Sequence, residues 1–68
     1  MFELLIVEHY VDDNEFRFFL FEPGKPSEEH TGMFESIGEI LVQGWTPISF
    51  QHKGECTDIY SFRRSYKP

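Results

Sequence analysis

The sequence predicts a small α+β domain, in which a four-stranded antiparallel sheet of ββαββ order carries one helix on one face. Two segments rich in alternating apolar residues come before Pro23, and two more follow Gly44. The segment between them has apolar residues spaced by three and four, as in an amphipathic helix. A chain of 68 residues has room for one domain, so residues 1–68 are assigned to a single unit.

The first half of the chain is predicted to form a β-hairpin. Phe2–Tyr10 and Glu15–Glu22 alternate as strands do, and both are rich in aromatic or branched residues. Val11–Asn14 lies between them and contains Asp and Asn, whose side chains bond turn backbone and tolerate left-handed conformations. A four-residue loop at this position connects two antiparallel strands.

The loop length also predicts the register of the hairpin. A four-residue loop pairs Tyr10 with Glu15 and places Glu8 opposite Arg17, a favourable cross-strand charge pair. One face then carries Phe2, Leu4, Ile6, Phe19 and Phe21. The other face carries Leu5, Val7, His9, Phe16, Phe18 and Leu20.

A helix is predicted after the hairpin. Pro23–Pro26 ends the second strand, because proline cannot continue the hydrogen-bonded ladder. Ser27 is expected to cap a first helical turn, and the firm helix is expected over residues 31–43. Its apolar stripe consists of Met33, Phe34, Ile37, Ile40 and Leu41.

The end of the helix has a clear signal. Gly44 is expected to adopt the left-handed conformation that ends many helices. Trp45 then lies where such a motif places a hydrophobic contact, back against Ile40.

The second half is predicted to close the sheet with another hairpin. Trp45–His52 is predicted to be a strand, and Pro47 favours a position at the sheet edge or a bulge near the strand start. A turn at His52–Glu55 and a last strand at Thr57–Tyr66 complete the domain.

The second half also resembles a known family. The segment Ile37–Trp45, followed by a strand, a turn and the sequence Tyr60-Ser61-Phe62-Arg63-Arg64, is similar to small bacterial and phage proteins of domain of unknown function 4177. The resemblance spans roughly residues 37–64, with Phe2–Val7 as an opening strand. It implies the same element order and supplies no activity or catalytic residue.

Self-association is predicted from the hairpin, because both of its faces are apolar and one helix covers only one. An uncovered apolar face on a small domain is typical of an interface. The pattern leaves open which face the helix takes, and the working assignment puts the interface of a homodimer at Leu5, Val7, Phe16, Phe18 and Leu20. The leading interpretation is therefore a non-catalytic module that acts by binding a partner.

The alternative interpretation is a protein that binds or sequesters an anionic, nucleotide-like ligand. Basic residues cluster near the C-terminus of an otherwise acidic chain, and an aromatic ring beside them offers a stacking surface. The candidate ligand residues are Arg63, Arg64, Arg17 and Tyr60.

Other kinds of chemistry have little support in the sequence. His52 and Cys56 flank a turn, but no orienting group or oxyanion hole accompanies them. The histidines and the cysteine lack metal-ligand spacing, so no metal, no cofactor and no enzymatic activity are predicted. A net charge of -6 argues against general nucleic-acid binding, which depends on cations.

The expected location is the cytoplasm. Cys56 is the only cysteine, so no disulfide framework within the chain is possible. The sequence shows no signal peptide, and no run approaches the roughly 20 apolar residues of a membrane helix, so membrane association is not expected.

Overall fold

The fold combines one sheet and one short helix. The computed structural model describes residues 1–66, and within them all five strands pair antiparallel. The strand order across the sheet is β3-β2-β1-β5-β4. This confirms an α+β fold with an antiparallel sheet. The elements are β1 (Phe2–Tyr10), β2 (Glu15–Phe21), β3 (Glu28–His30), α1 (Ile37–Val42), β4 (Thr46–His52) and β5 (Thr57–Ser65).

The fifth strand corrects the predicted ββαββ order. β3 occupies the position where a helical turn capped by Ser27 was expected, and it pairs with the outer edge of β2. The register places His30 opposite Phe18 and Glu28 opposite Leu20. The pairing with β3 gives hydrogen-bond partners to the backbone N–H and C=O groups on that edge of β2. A single helical turn in place of β3 would leave those groups exposed.

The helix is shorter than the expected range of residues 31–43. Gly32 has a φ of +69° and Ser36 is extended, so regular helix cannot run through either position. The helix begins after Ser36, whose Oγ accepts a hydrogen bond of 3.2 Å from the Glu39 backbone N–H. Phe34 therefore lies before the helix, although it is still buried. No helix in residues 1–66 is long and apolar enough to cross a membrane.

The predicted helix end is confirmed. Gly44 has a φ of +90°, and its N–H donates to the Leu41 carbonyl at 3.1 Å. The Trp45 N–H donates to the Ile40 carbonyl at 3.4 Å. These two bonds define a Schellman motif, and they direct Trp45 into the core.

The first hairpin follows the predicted register, and the second hairpin forms where it was expected. Tyr10 pairs with Glu15 and Glu8 with Arg17, so the four-residue loop is confirmed. β4 is an edge strand, and its pairing with β5 has a bulge or irregularity between Pro47 and Ser49. A proline at a bulge on an edge strand removes no ladder hydrogen bond from the middle of the sheet.

The core lies between the helix and one face of the sheet. On β1, Leu5 and Val7 are fully buried, whereas the alternate residues Leu4 and Ile6 are not. The helix therefore covers the odd-numbered side of β1. The buried apolar residues are Leu5, Val7, Phe18, Phe34, Ile40, Trp45 and Phe62.

Candidate protein interface

The sheet face opposite the helix carries a continuous apolar patch. We call this side of the sheet the open face, and its apolar patch consists of Phe2, Leu4, Ile6, Phe19 and Phe21. Phe2 is 54% exposed, Leu4 40% and Phe21 41%. Ile6 and Phe19 are half-buried by their neighbours alone. Such side chains, grouped on one face of a small domain, are typical of an interaction surface.

The strand register explains why these residues are neighbours. Ile6 lies directly opposite Phe19, and Leu4 lies directly opposite Phe21. Residues that face each other across an antiparallel pair project to the same side of the sheet, about 5 Å apart. Phe2 continues the same side of β1 by one step of two residues.

Charged residues border the patch on two sides. Arg63 of β5 lies opposite Leu4, and its guanidinium carbon is 4.9 Å from the centre of the Phe2 ring. Glu29 of β3 lies opposite Phe19. The patch therefore has a cation along one border and an anion along the other.

The remaining end of the open face is polar and internally bonded. The Tyr10 hydroxyl donates to a Glu8 carboxylate oxygen at 2.7 Å, and the Arg17 guanidinium lies 5.3 Å from the Tyr10 ring centre. The hydrogen bond to Glu8 is the main cause of a raised Tyr10 pKa, with smaller contributions from desolvation and neighbouring charge. These groups stabilise one another and mark where the apolar patch ends.

The structure corrects the working assignment of the interface. Leu5, Val7 and Phe18 are buried beneath the helix, and Phe16 and Leu20 pack against the same core. None of the three buried side chains is accessible to a second molecule. The exposed apolar residues lie on the other face of the hairpin.

The last strand indicates which face of the first hairpin the helix covers, but only once the pairing of β5 with β1 is known. In β5, the aromatic residues Tyr60 and Phe62 share one side, whereas Ser61 and Arg63 share the other. Phe62 lies opposite Leu5, which places both on the side that the helix covers. The sequence alone does not show that β1 and β5 are neighbours.

The four candidate ligand residues do not form one site. Arg63 and Arg17 project from the open face, and Arg64 and Tyr60 project from the helix-covered face. Arg64 is already paired with the Glu3 carboxylate, at 2.8 Å. A convergent anion site built from these residues is therefore not present.

A second apolar surface lies between the helix and the edge strand β4. It is a groove of about 400 Å³, open to solvent. Ile48 and Phe50 of β4 are each 52% exposed beside it, and Leu41 of the helix is 47% exposed. Ile48 and Phe50 alternate with the polar residues Ser49 and Gln51, and this spacing is the signal in the sequence for an apolar side of β4.

Cys56 and His52, which flank the turn of the second hairpin, each interact with a different aspartate. Cys56 is exposed, and its hydrogen bond with Asp12, followed by the charge of that carboxylate, raises the pKa of the thiol. His52 is paired with Asp58 instead. Within residues 1–66, no three His, Cys, Asp or Glu side chains are grouped so that they could hold a metal ion.

Comparison of the chain with family models, with curated proteins and with solved structures finds no match. The resemblance to domain of unknown function 4177 therefore stays a prediction.

Proposed function

We propose that this protein is a non-catalytic interaction module that forms a homodimer through its open face. The observation that carries the proposal is the patch of Phe2, Leu4, Ile6, Phe19 and Phe21 on the sheet face opposite the helix. Fully burying a large apolar side chain contributes about 1.5–3 kcal/mol, so removing this patch from water favours association.

The size of the domain supports the same proposal. Its fully buried side chains come from one small cluster between the helix and the sheet. Domains below about 70–80 residues commonly gain additional stability from disulfides, a metal or oligomerisation. The single cysteine allows no disulfide within the chain, which leaves association as a way to extend the core.

Self-association is also consistent with the layer arrangement of the domain, in which one face of the sheet is covered and the other is apolar. Two sheets pack face to face when their inner faces are apolar and their outer faces are covered or polar. Here the helix covers the outer face of each copy. A two-fold dimer would place the two open faces together, and each copy would contribute the same patch.

Phe21→Asp tests the proposal. Phe21 lies opposite Leu4 on the open face and is 41% exposed, so an aspartate there would place a carboxylate with an apolar cross-strand neighbour inside the dimer. We expect the wild-type protein to sediment as a dimer at micromolar concentration and the variant to sediment as a folded monomer.

Val42→Asp is the matched control. Val42 is 85% exposed on the helix, away from the open face, and the substitution adds the same charge. We expect this variant to remain dimeric. A monomeric wild-type protein, or equal dissociation of both variants, would contradict the proposed function.

A further inference from the structure

The charges that border the open-face patch indicate how two copies would be arranged, an inference that rests on the proposed function. Arg63 and Glu29 belong to strands on opposite sides of the patch, since the sheet order places β2 and β1 between β3 and β5. Neighbouring strands are about 4.8 Å apart, so the two residues are separated by roughly 14 Å across the strands.

The two residues are only slightly offset along the strand direction. Arg63 lies opposite Leu4, whereas Glu29 lies opposite Phe19, which is itself opposite Ile6. This offset of two residues corresponds to about 7 Å. Both side chains are long, and together they can span that offset at the edge of a face-to-face contact.

Both side chains are also available to a second copy. Each residue is exposed, and neither forms an ion pair within residues 1–66. Arg63 is held above the Phe2 ring, so its guanidinium already lies over the patch border.

We propose that the two-fold axis of the dimer runs along the strands, between β1 and β2, so that Arg63 of each copy meets Glu29 of the other. This axis places the β5 side of one copy over the β3 side of its partner, which brings opposite charges together twice. An axis running across the strands would instead place β3 over β3. The Glu29 carboxylates of the two copies would then lie along the same edge of the interface.

Glu29→Lys is the most informative single substitution. It changes the formal net charge from -6 to -4, since replacing one glutamate by lysine adds two charges. Reduced overall repulsion would strengthen a dimer of acidic chains, whereas the proposed contact with Arg63 predicts weakening. We expect the dimer dissociation constant to rise about two- to thirtyfold, as two rim ion pairs become repulsive.

Glu28→Lys is the matched control for this measurement. Glu28 lies opposite Leu20 in the same short strand, so it projects to the helix-covered face, and its substitution makes the same change in net charge. We expect Glu28→Lys to leave the dimer unchanged or slightly tighter. Equal effects of Glu28→Lys and Glu29→Lys would overturn the proposed arrangement.

A mixing experiment tests the contact between the two residues directly. Arg63→Glu alone and Glu29→Lys alone should each give weakened homodimers, because every rim contact joins like charges. When the two variants are mixed, both rim contacts join opposite charges, so native mass spectrometry should show mainly the heterodimer. A statistical mixture of dimers would overturn the arrangement.

The result also separates this inference from the proposed function. If Phe21→Asp dissociates the dimer but the charge variants mix statistically, the open face is the interface and the axis is wrong. If the wild-type protein is a monomer, both the interface and the arrangement are wrong.

Discussion

The guanidinium of Arg64 holds the buried carboxylate of Glu3 across the junction of the first and last strands. Nε and Nη2 of Arg64 both lie 2.8 Å from Oε1 of Glu3. The same guanidinium packs over the Trp45 ring at 4.3 Å and donates to the Gln43 carbonyl at 3.3 Å. One side chain thus links the two strands to the end of the helix.

Replacing Arg64 should destabilise the fold by more than an ordinary surface substitution. Glu3 is only 7% exposed, so Arg64→Met would leave its carboxylate without its cationic partner. We expect the free energy of unfolding in urea to fall by about 1–3 kcal/mol. Lys25→Met, which removes an exposed pair with Glu22, should cost no more than about 1 kcal/mol.

A double substitution separates the pair from the packing of the arginine. Glu3→Leu combined with Arg64→Met removes both charges, and replacing a buried ion pair by apolar residues is often neutral or stabilising. We expect the double variant to be more stable than Arg64→Met alone. If the loss in free energy of unfolding in the double variant equals the sum of the losses in the two single variants, the interaction between Glu3 and Arg64 contributes nothing to stability.

A side chain at Gly44 should lower the stability of the fold, whereas one at the helical position Gly38 should not. An added Cβ would meet no atom within 4 Å, so any cost comes from the φ of +90°. We expect Gly44→Ala to lower the free energy of unfolding by about 1–2 kcal/mol. Gly38 lies inside the helix, where Gly38→Ala should raise stability by about 0.5–1 kcal/mol. Equal effects at the two positions would contradict the assigned helix end.

Cys56 should react slowly with alkylating reagents near neutral pH. Its hydrogen bond with Asp12 is the largest cause of its raised pKa, and a raised pKa lowers the thiolate fraction at a given pH. Asp12→Asn removes the negative charge, so the pH profile of iodoacetamide alkylation should shift to lower pH. Asp13→Asn should shift it less, because Asp13 is the smallest contributor. An unchanged profile in Asp12→Asn would contradict the contact.

Local patterns in the sequence predicted the elements that local interactions define. The Val11–Asn14 loop set the register of the first hairpin, and Gly44 set the helix end, because each depends on residues a few positions apart. The helix begins at Ile37, six residues later than the apolar spacing predicts. Gly32 and Ser36 interrupt the apolar spacing there through backbone conformation, which the spacing of side chains does not reveal.

The candidate interface depended on information that no local pattern contains. Both sides of the first hairpin are apolar, so strand alternation established that one side would be left uncovered without indicating which one. Pairing of β1 with β5 placed Phe62 beside Leu5 and Arg63 beside Leu4, and this made one side suitable for the helix. The two strands are separated by most of the chain, so only the tertiary structure could decide which apolar face remained open.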